Sequence, residues 1–227
     1  MGSYVECHFP YDTPAADINQ ALEETGMKML DLNTVCGNAD VGENGLAALP
    51  DRVEEARRAI DQAVDYATDI DAANIHVMAG KAAGADAHAT FVSNLRYAAE
   101  KAAKKQRTIL IEPLNKYAAP GYFLNTTDQA RQIIEEVGAD NVKLMFDCFH
   151  VQMSEGDLSN KLQQLLPLIG HIQFAAAPDR GEPDHGEINY YHVFKRIEEL
   201  GYMAPLGAEY RPTGDTDASL GWMKTLI

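Results

Sequence analysis

Short apolar runs alternate with amphipathic helical segments seven times along this chain. That alternation is the strongest constraint on its fold. Strands separated by helices must run parallel, joined by right-handed crossovers. The strand-like runs cover residues 4–9, 28–33, 74–78, 108–111, 142–146, 171–175 and 205–208. The helix after the first is predicted to be capped by Asp12 or Thr13, with Pro14 in its first turn, and to stop before Gly26. A long polar loop spans 34–49. Pro50-Asp51 then opens a helix with Val53, Ala56, Ala59, Ile60, Ala63, Val64 and Ala67 at a 3.6-residue period. Phe91, Leu95, Ala98, Ala99 and Ala102 line the next. Thr126 or Thr127 caps a helix to Val137, which Gly138 ends. Further helices are expected from Asp157, over 189–200, and from Asp217 to the chain end.

Two architectures carry such a pattern, an open doubly wound sheet and a β/α barrel. No Gly-x-Gly-x-x-Gly follows the first strand, so a dinucleotide fold lacks its main support. Several strands instead end in polar side chains. Ile109-Leu110-Ile111 runs into Glu112, Val142–Phe146 into Asp147, and Leu206-Gly207-Ala208 into Glu209; Gln173 lies near the end of its own run. A barrel points all its strand ends at one centre, so the expected fold is an α/β TIM-type β/α barrel of seven units, one domain over 1–227. A closed barrel of this class has eight strands. With seven, residues 4–9 and 205–209 would be left as unpaired edges, and either an open barrel or a homodimer covering the gap is expected.

Glu112, Asp147, Gln173 and Glu209 are separated by 35, 26 and 36 residues and come from successive late strands. On a barrel their four oxygens converge. Three carboxylates that close repel one another unless a cation neutralises them, and all-oxygen ligation suits Mg²⁺ or Mn²⁺. Taken singly, each is equally a surface carboxylate or a helix cap. His150, one turn after Asp147, reads either as a donor to a substrate oxygen or as a satisfied loop histidine. Arg180 lies in the charged loop after Gln173. It is placed either to clamp a substrate carboxylate or to pair with Glu182 or Asp184. His76 and His171 read as buried core residues or as ligands. Lys101, Lys104, Lys105 and Arg107 at a helix end suit the helix dipole.

The net charge of −15 disfavours nucleic acid as a partner. No apolar run reaches the ~20 residues of a membrane span. Cys7, Cys36 and Cys148 have no metal-ligand spacing and suit reduced thiols in a cytoplasmic protein. There is no serine or cysteine nucleophile motif and no phosphate-cradling glycine loop.

The segments Ile111-Glu112-Pro113-Leu114-Asn115, Phe146-Asp147-Cys148-Phe149-His150-Val151-Gln152, Gly170-His171-Ile172-Gln173, Arg180-Gly181-Glu182-Pro183-Asp184, Gly186-Glu187-Ile188-Asn189-Tyr190 and Gly207-Ala208-Glu209-Tyr210 resemble the hydroxypyruvate isomerase family. His76–Gly80, Val5-Glu6 and Phe9-Pro10-Tyr11-Asp12 match as well. The resemblance runs through nearly the whole chain; the family's first strand and helix would fall before Tyr4. It implies a xylose-isomerase-like barrel with Glu112, Asp147, Gln173 and Glu209 as ligands of Mg²⁺ or Mn²⁺. Glu112 and Glu209 would double as acid and base, and His150 and Arg180 would contact substrate. It further implies interconversion of hydroxypyruvate, a small hydroxy-oxo acid, and tartronate semialdehyde by proton transfer through an enediolate. A four-carbon 2-oxo acid isomerase or a keto-sugar epimerase is the alternative within the class. Outside it stand an endonuclease-like phosphodiesterase and a catalytically impaired barrel.

Overall fold

The computed structural model describes residues 4–226. Seven parallel strands form a single sheet in strictly sequential order: β1 (Tyr4–Cys7), β2 (Lys28–Asn33), β3 (Asn74–His76), β4 (Thr108–Ile111), β5 (Val142–Asp147), β6 (Ile169–Phe174) and β7 (Leu206–Ala208). The main helices between them are α1 (Ala15–Thr25), α2 (Val53–Asp69), α3 (Gly84–Ala103), α4 (Thr127–Val137), α5 (Cys148–Ser154), α6 (Leu158–Leu165) and α7 (Tyr190–Glu199). The sheet curls into a nearly closed barrel. Among the described residues no backbone ladder joins β1 to β7. Side chains cross the seam instead: Glu6 of β1 bonds His171 and Gln173 of β6, and His8 bonds Glu209 just past β7.

Strand parity sorts the side chains between shell and barrel interior. Successive residues of a strand face opposite sides. In β4, Ile109 and Ile111 join the hydrophobic cluster under the helices, whereas Leu110 is buried outside it. In β5, Val142, Leu144 and Phe146 belong to the cluster, and Met145 and Asp147 do not. In β6 the shell residues are Ile169, before a register shift, and then Ile172 and Phe174, and His171 and Gln173 are buried on the other face. The same parity carries Glu112 and Asp147 to the interior at the carboxyl ends of β4 and β5. Barrel interiors of this type are ordinarily filled by branched apolar residues. Here the buried residues also include Asp31, Asn74, His76 and His171, so the centre is unusually polar.

The helices follow their apolar stripes. In α3, Phe91, Leu95, Ala98 and Ala102 are each fully buried. Thr126 caps α4, its hydroxyl accepting from the Gln129 amide at 3.2 Å, and Gly138 ends that helix in the left-handed region.

Several local expectations are corrected. Neither Asp12 nor Thr13 caps α1; Pro14 takes the cap position, so that helix starts without a side-chain acceptor. The first strand stops at Cys7 because residues 10–12 already turn into a 3-10 helix. The third stops at His76, and the sixth begins two residues early, at Ile169. Helix α5 was not anticipated: Asp147 caps it, its Oδ1 accepting from the Phe149 amide at 2.8 Å. The expected final helix is broken into short pieces, α8 (Thr216–Ser219), a 3-10 turn and α9 (Met223–Leu226); its last residue, Ile227, lies outside the described residues. Lys101, Lys104 and Arg107 pair with Asp61, Glu100 and Asp71.

Truncation tests this layering. Leu95→Ala should destabilise by about 2–5 kcal/mol, the cost of an unfilled core site. Glu100→Ala, at an exposed position whose one ion pair among the described residues is with Lys104, should change stability by less than about 0.5 kcal/mol. Urea unfolding followed by circular dichroism measures both. Equal losses would mean that α3 does not pack as described.

Candidate active site

The site is assembled at the carboxyl ends of β4, β5, β6 and β7. Glu112, Asp147 and His150 bring one ligand atom each within 4.8 Å of one another, and all three residues are buried. Asp147 reaches this point because it ends β5, and its cap to α5 uses only Oδ1. Oδ2 is left buried without a hydrogen-bond partner, as are Glu112 Oε1 and Gln173 Oε1. His150 lies in the first turn of α5, three residues on, and returns to the same face. Its Nε2 is 3.8 Å from Glu112 Oε1 and 3.7 Å from Asp147 Oδ2. The Asn115 backbone amide and side-chain Nδ2 both approach His150 Nδ1, at 3.0 and 2.9 Å. Two donors on Nδ1 assign the ring proton to Nε2.

Gln173 is the register partner of Asp147 on the neighbouring strand. Its amide nitrogen donates to Glu6 Oε2 at 2.6 Å. Glu209 sits apart from the compact Glu112–Asp147–His150 group. Its carboxylate is held by Arg180 Nη2 at 2.6 Å and His8 Nε2 at 2.7 Å. The Glu209 backbone N–H donates to Phe174 O, which ties its position to β6. Arg180 therefore pairs with Glu209 and not with Glu182, whose Oε1 accepts from the backbone and hydroxyl of Thr213. Nor does it pair with Asp184, which bonds His185. The guanidinium also lies 3.7 Å from Asp147 Oδ2 and over the Phe149 ring. Its Nη1 approaches His150 Nε2 at 3.2 Å; both atoms are donors, so this contact adds no hydrogen bond. The Arg180 backbone adopts φ 58°, a left-handed conformation that an arginine rarely holds without surrounding support.

Burial and like charge set the protonation pattern. Burial, then the charges of Glu209 and Asp147, raise Glu112 well above the usual carboxylate range. Burial, then Glu209, push Asp147 up to about 7. Burial alone would raise Glu209 too, but the hydrogen bond from His8 and the charge of Arg180 overcome it and lower this group to about 2. His150 is pushed down to about 3 by burial and then by Arg180, so its ring is neutral. His76, whose Nδ1 lies 3.8 Å from Glu112 Oε2, falls to about 4 by burial. Below the cluster Asp31 is raised well above its ordinary range, chiefly by burial and then by Glu6.

This arrangement fits a divalent cation. Three buried oxygens without partners, two of them on carboxylates, are a donor set that a hard ion satisfies. A neutral imidazole stands beside them.

Three contributors, Glu6, Asn115 and His8, escape the sequence reading of the site. Glu6 and Asn115 lie in segments that carry the family resemblance, but nothing local marks them as partners of Gln173 and His150. His8 carried no signal; it is more than half exposed and meets Glu209 only through the fold.

A parallel β/α barrel with a buried carboxylate–histidine cluster at its strand ends is the architecture of a barrel enzyme, and the cluster offers a set of ligand atoms to a metal ion. The family model for the xylose isomerase-like TIM barrel matches residues 2–226, and the chain belongs to that family. It is 46% identical to a 2-oxo-tetronate isomerase of Cupriavidus necator, over 98% of this chain and 87% of the relative. It is 40% identical to a hydroxypyruvate isomerase of Escherichia coli, over 96% of this chain and 86% of the relative. A crystal structure from Brucella melitensis, described as an AP endonuclease of family 2, superposes with a TM-score of 0.95. It is 36% identical and covers 98% of this chain and 88% of that one. The chain is an enzyme of the isomerase class.

The raised Asp147 has a consequence for stability. The folded chain keeps a proton there that the unfolded chain releases near the ordinary value of 3.8. The contribution of this group is therefore greatest below about pH 4 and is lost as pH rises through about 7. In chelator, Asp147→Asn should remove that decline, so the variant should gain stability relative to wild type between about pH 5 and about pH 8. Urea midpoints measured across that range check this. A constant difference between the two proteins would mean that Asp147 is ionised throughout.

Proposed function

We propose that this enzyme isomerises small hydroxy-oxo acids by moving a proton between adjacent carbons, with hydroxypyruvate and tartronate semialdehyde as its pair. The observation that carries the reading is the split between two glutamates at one strand-end site. Burial and neighbouring carboxylates raise Glu112 well above the usual carboxylate range, whereas His8 and Arg180 hold Glu209 below it. Two titratable groups driven apart by their surroundings are the mark of an acid/base pair.

Glu209 accepts the proton from the carbon that bears the hydroxyl, Glu112 delivers one to the neighbouring carbonyl carbon, and the hydroxyl proton passes to the former carbonyl oxygen; the roles reverse in the other direction. Arg180, beside Glu209, binds the substrate carboxylate as a two-pronged donor. His150, neutral with its proton on Nε2, donates to a substrate oxygen. Asn115 fixes that tautomer from behind. Glu112, Asp147, Gln173 and Glu209 would hold Mg²⁺ or Mn²⁺. The ion, when bound, supplies positive charge that stabilises the enediolate.

The relatives named for 2-oxo-tetronate support a second substrate of the same class, longer by one hydroxymethyl group, and the same residues serve it. The endonuclease described for the Brucella structure is the competing reading. A net charge of −15 argues against binding a polyanion, so nucleic acid is not a partner in this proposal. No helix among the described residues is long and apolar enough to cross a membrane. The three cysteines are free thiols, which supports a cytoplasmic setting.

A panel of hydroxypyruvate, its four-carbon homologue, keto-sugars and an abasic-site duplex, each assayed with Mn²⁺, tests the proposal. Turnover of either acid is expected, and cleavage of the duplex without turnover of the acids would overturn it. Glu112→Gln and Glu209→Gln should each lower turnover by about 10²–10⁴-fold. Near-wild-type activity in either variant would remove that residue from the chemistry. Mn²⁺ should also raise the melting temperature of the wild type, because only the folded state binds it, and Asp147→Ala should abolish that rise. An equal rise in both proteins would place the ion elsewhere.

A further inference from the structure

Glu6 lies on β1, across the seam of the barrel from the strands that carry the cluster. Its carboxylate nevertheless accepts two hydrogen bonds from β6: from His171 Nε2 at 2.7 Å and from Gln173 Nε2 at 2.6 Å. The two donors are two residues apart and so share the interior face of β6. Nothing in the chemistry proposed above uses Glu6.

The other end of the Gln173 amide explains why this contact matters. Gln173 Oε1 is buried and has no partner in the protein, and Gln173 stands in register with Asp147. A carboxylate offers only acceptors. Turning the amide over would set Oε1 against Glu6 Oε2 at hydrogen-bond distance, two oxygens facing each other. Glu6 thus permits one orientation of Gln173, with the nitrogen toward β1 and the oxygen left free.

A second observation shows that the fold makes room for this bridge. Gly207 of β7 is the register partner of Gln173. A Cβ built at Gly207 would overlap Glu6 Oε1 and would lie 2.8 Å from His171 Nε2. Any larger residue at 207 would displace the Glu6 side chain. Glycine is required here for the passage of a carboxylate, not for an unusual backbone angle.

We propose that Glu6 is a positioning residue for the metal ion. It locks the Gln173 amide so that Oε1 is presented as a ligand, and Gly207 provides the space through which it does so. The inference rests on the cation binding proposed above. Partners of this kind, one shell out from the ion, typically change metal affinity by about 10–100-fold when removed. Glu6→Gln is the discriminating variant because it preserves shape. With His171 donating to its oxygen, the new amide turns its NH₂ toward Gln173 and favours the orientation that faces nitrogen to the ion.

Calorimetric titration of the full chain with Mn²⁺ reads this without any assay of activity. Glu6→Gln should weaken Mn²⁺ binding by about 10–100-fold. Gly207→Ala should weaken it in the same direction, although it removes no polar group. Melting temperatures in chelator separate a structural role. If Glu6→Gln melts lower but binds Mn²⁺ like the wild type, Glu6 only braces the seam and the inference is overturned. Unchanged affinity in Gly207→Ala, with the fold intact, would equally overturn the part given to Gly207. If wild type itself does not bind Mn²⁺ or Mg²⁺, the metal reading fails and this inference with it. Binding by wild type with no change in Glu6→Gln removes the inference alone.

Discussion

The repulsion among three carboxylates at the mouth of the barrel governs the rest of the site. Glu112, Asp147 and Glu209 are placed there by strand parity, and water is largely excluded from the first two. Charges brought together out of water are costly unless protons or cations compensate them. This protein uses several forms of compensation. Burial raises Glu112 and Asp147 above the usual carboxylate range, which favours their protonated forms. Arg180 and His8 hold Glu209 ionised. The shell of helices supplies the apolar burial that offsets so polar a centre, with Phe91, Leu95, Ile109, Ile111 and Phe146 all fully enclosed.

The compensation is uneven, and the unevenness is what makes the arrangement chemically useful. Arg180 lies nearer Glu209 than Asp147, at 2.6 Å against 3.7 Å. The guanidinium favours the charged form of both glutamates, most strongly of Glu209, and at Glu112 burial and the neighbouring carboxylates outweigh it. Burial raises both, but at Glu112, the more enclosed of the two, nothing offsets it as His8 and Arg180 do at Glu209. Two residues of one type are thus shifted in opposite directions by position alone.

Much of this was legible in the sequence because parity and period are local properties. The run Ile109-Leu110-Ile111-Glu112 announces a strand that delivers a carboxylate, and the stripe Phe91, Leu95, Ala98, Ala102 announces the helix covering it. What stayed hidden depends on long-range pairing. The bonds from His171 and Gln173 to Glu6 join residues 165 and 167 positions apart, and no window of sequence reports them. Arg180 offered two near neighbours of opposite charge, Glu182 and Asp184. The fold preferred Glu209, 29 positions on, because the loop turns the guanidinium inward. Helix α5 was missed for a different reason. Asp147 was read as the end of a strand, yet one of its oxygens also starts a helix, and that double use fixes the other oxygen in the cluster.

The seam between β1 and β7 connects the fold to the chemistry. Where a backbone ladder would hold two strands without regard to side-chain identity, here the crossing contacts come from Glu6 and His8. Each ends on a residue of the strand-end site, Gln173 in one case and Glu209 in the other. Closure of the barrel and orientation of the site thus share the same hydrogen bonds. A rearrangement of β1 relative to β7 would reach Gln173 and Glu209 directly, whereas Glu112, Asp147 and His150 are supported from β4, β5 and α5 and would be touched last. The site divides accordingly into a rigid half on the continuous sheet and a half whose geometry depends on the side chains that span the seam.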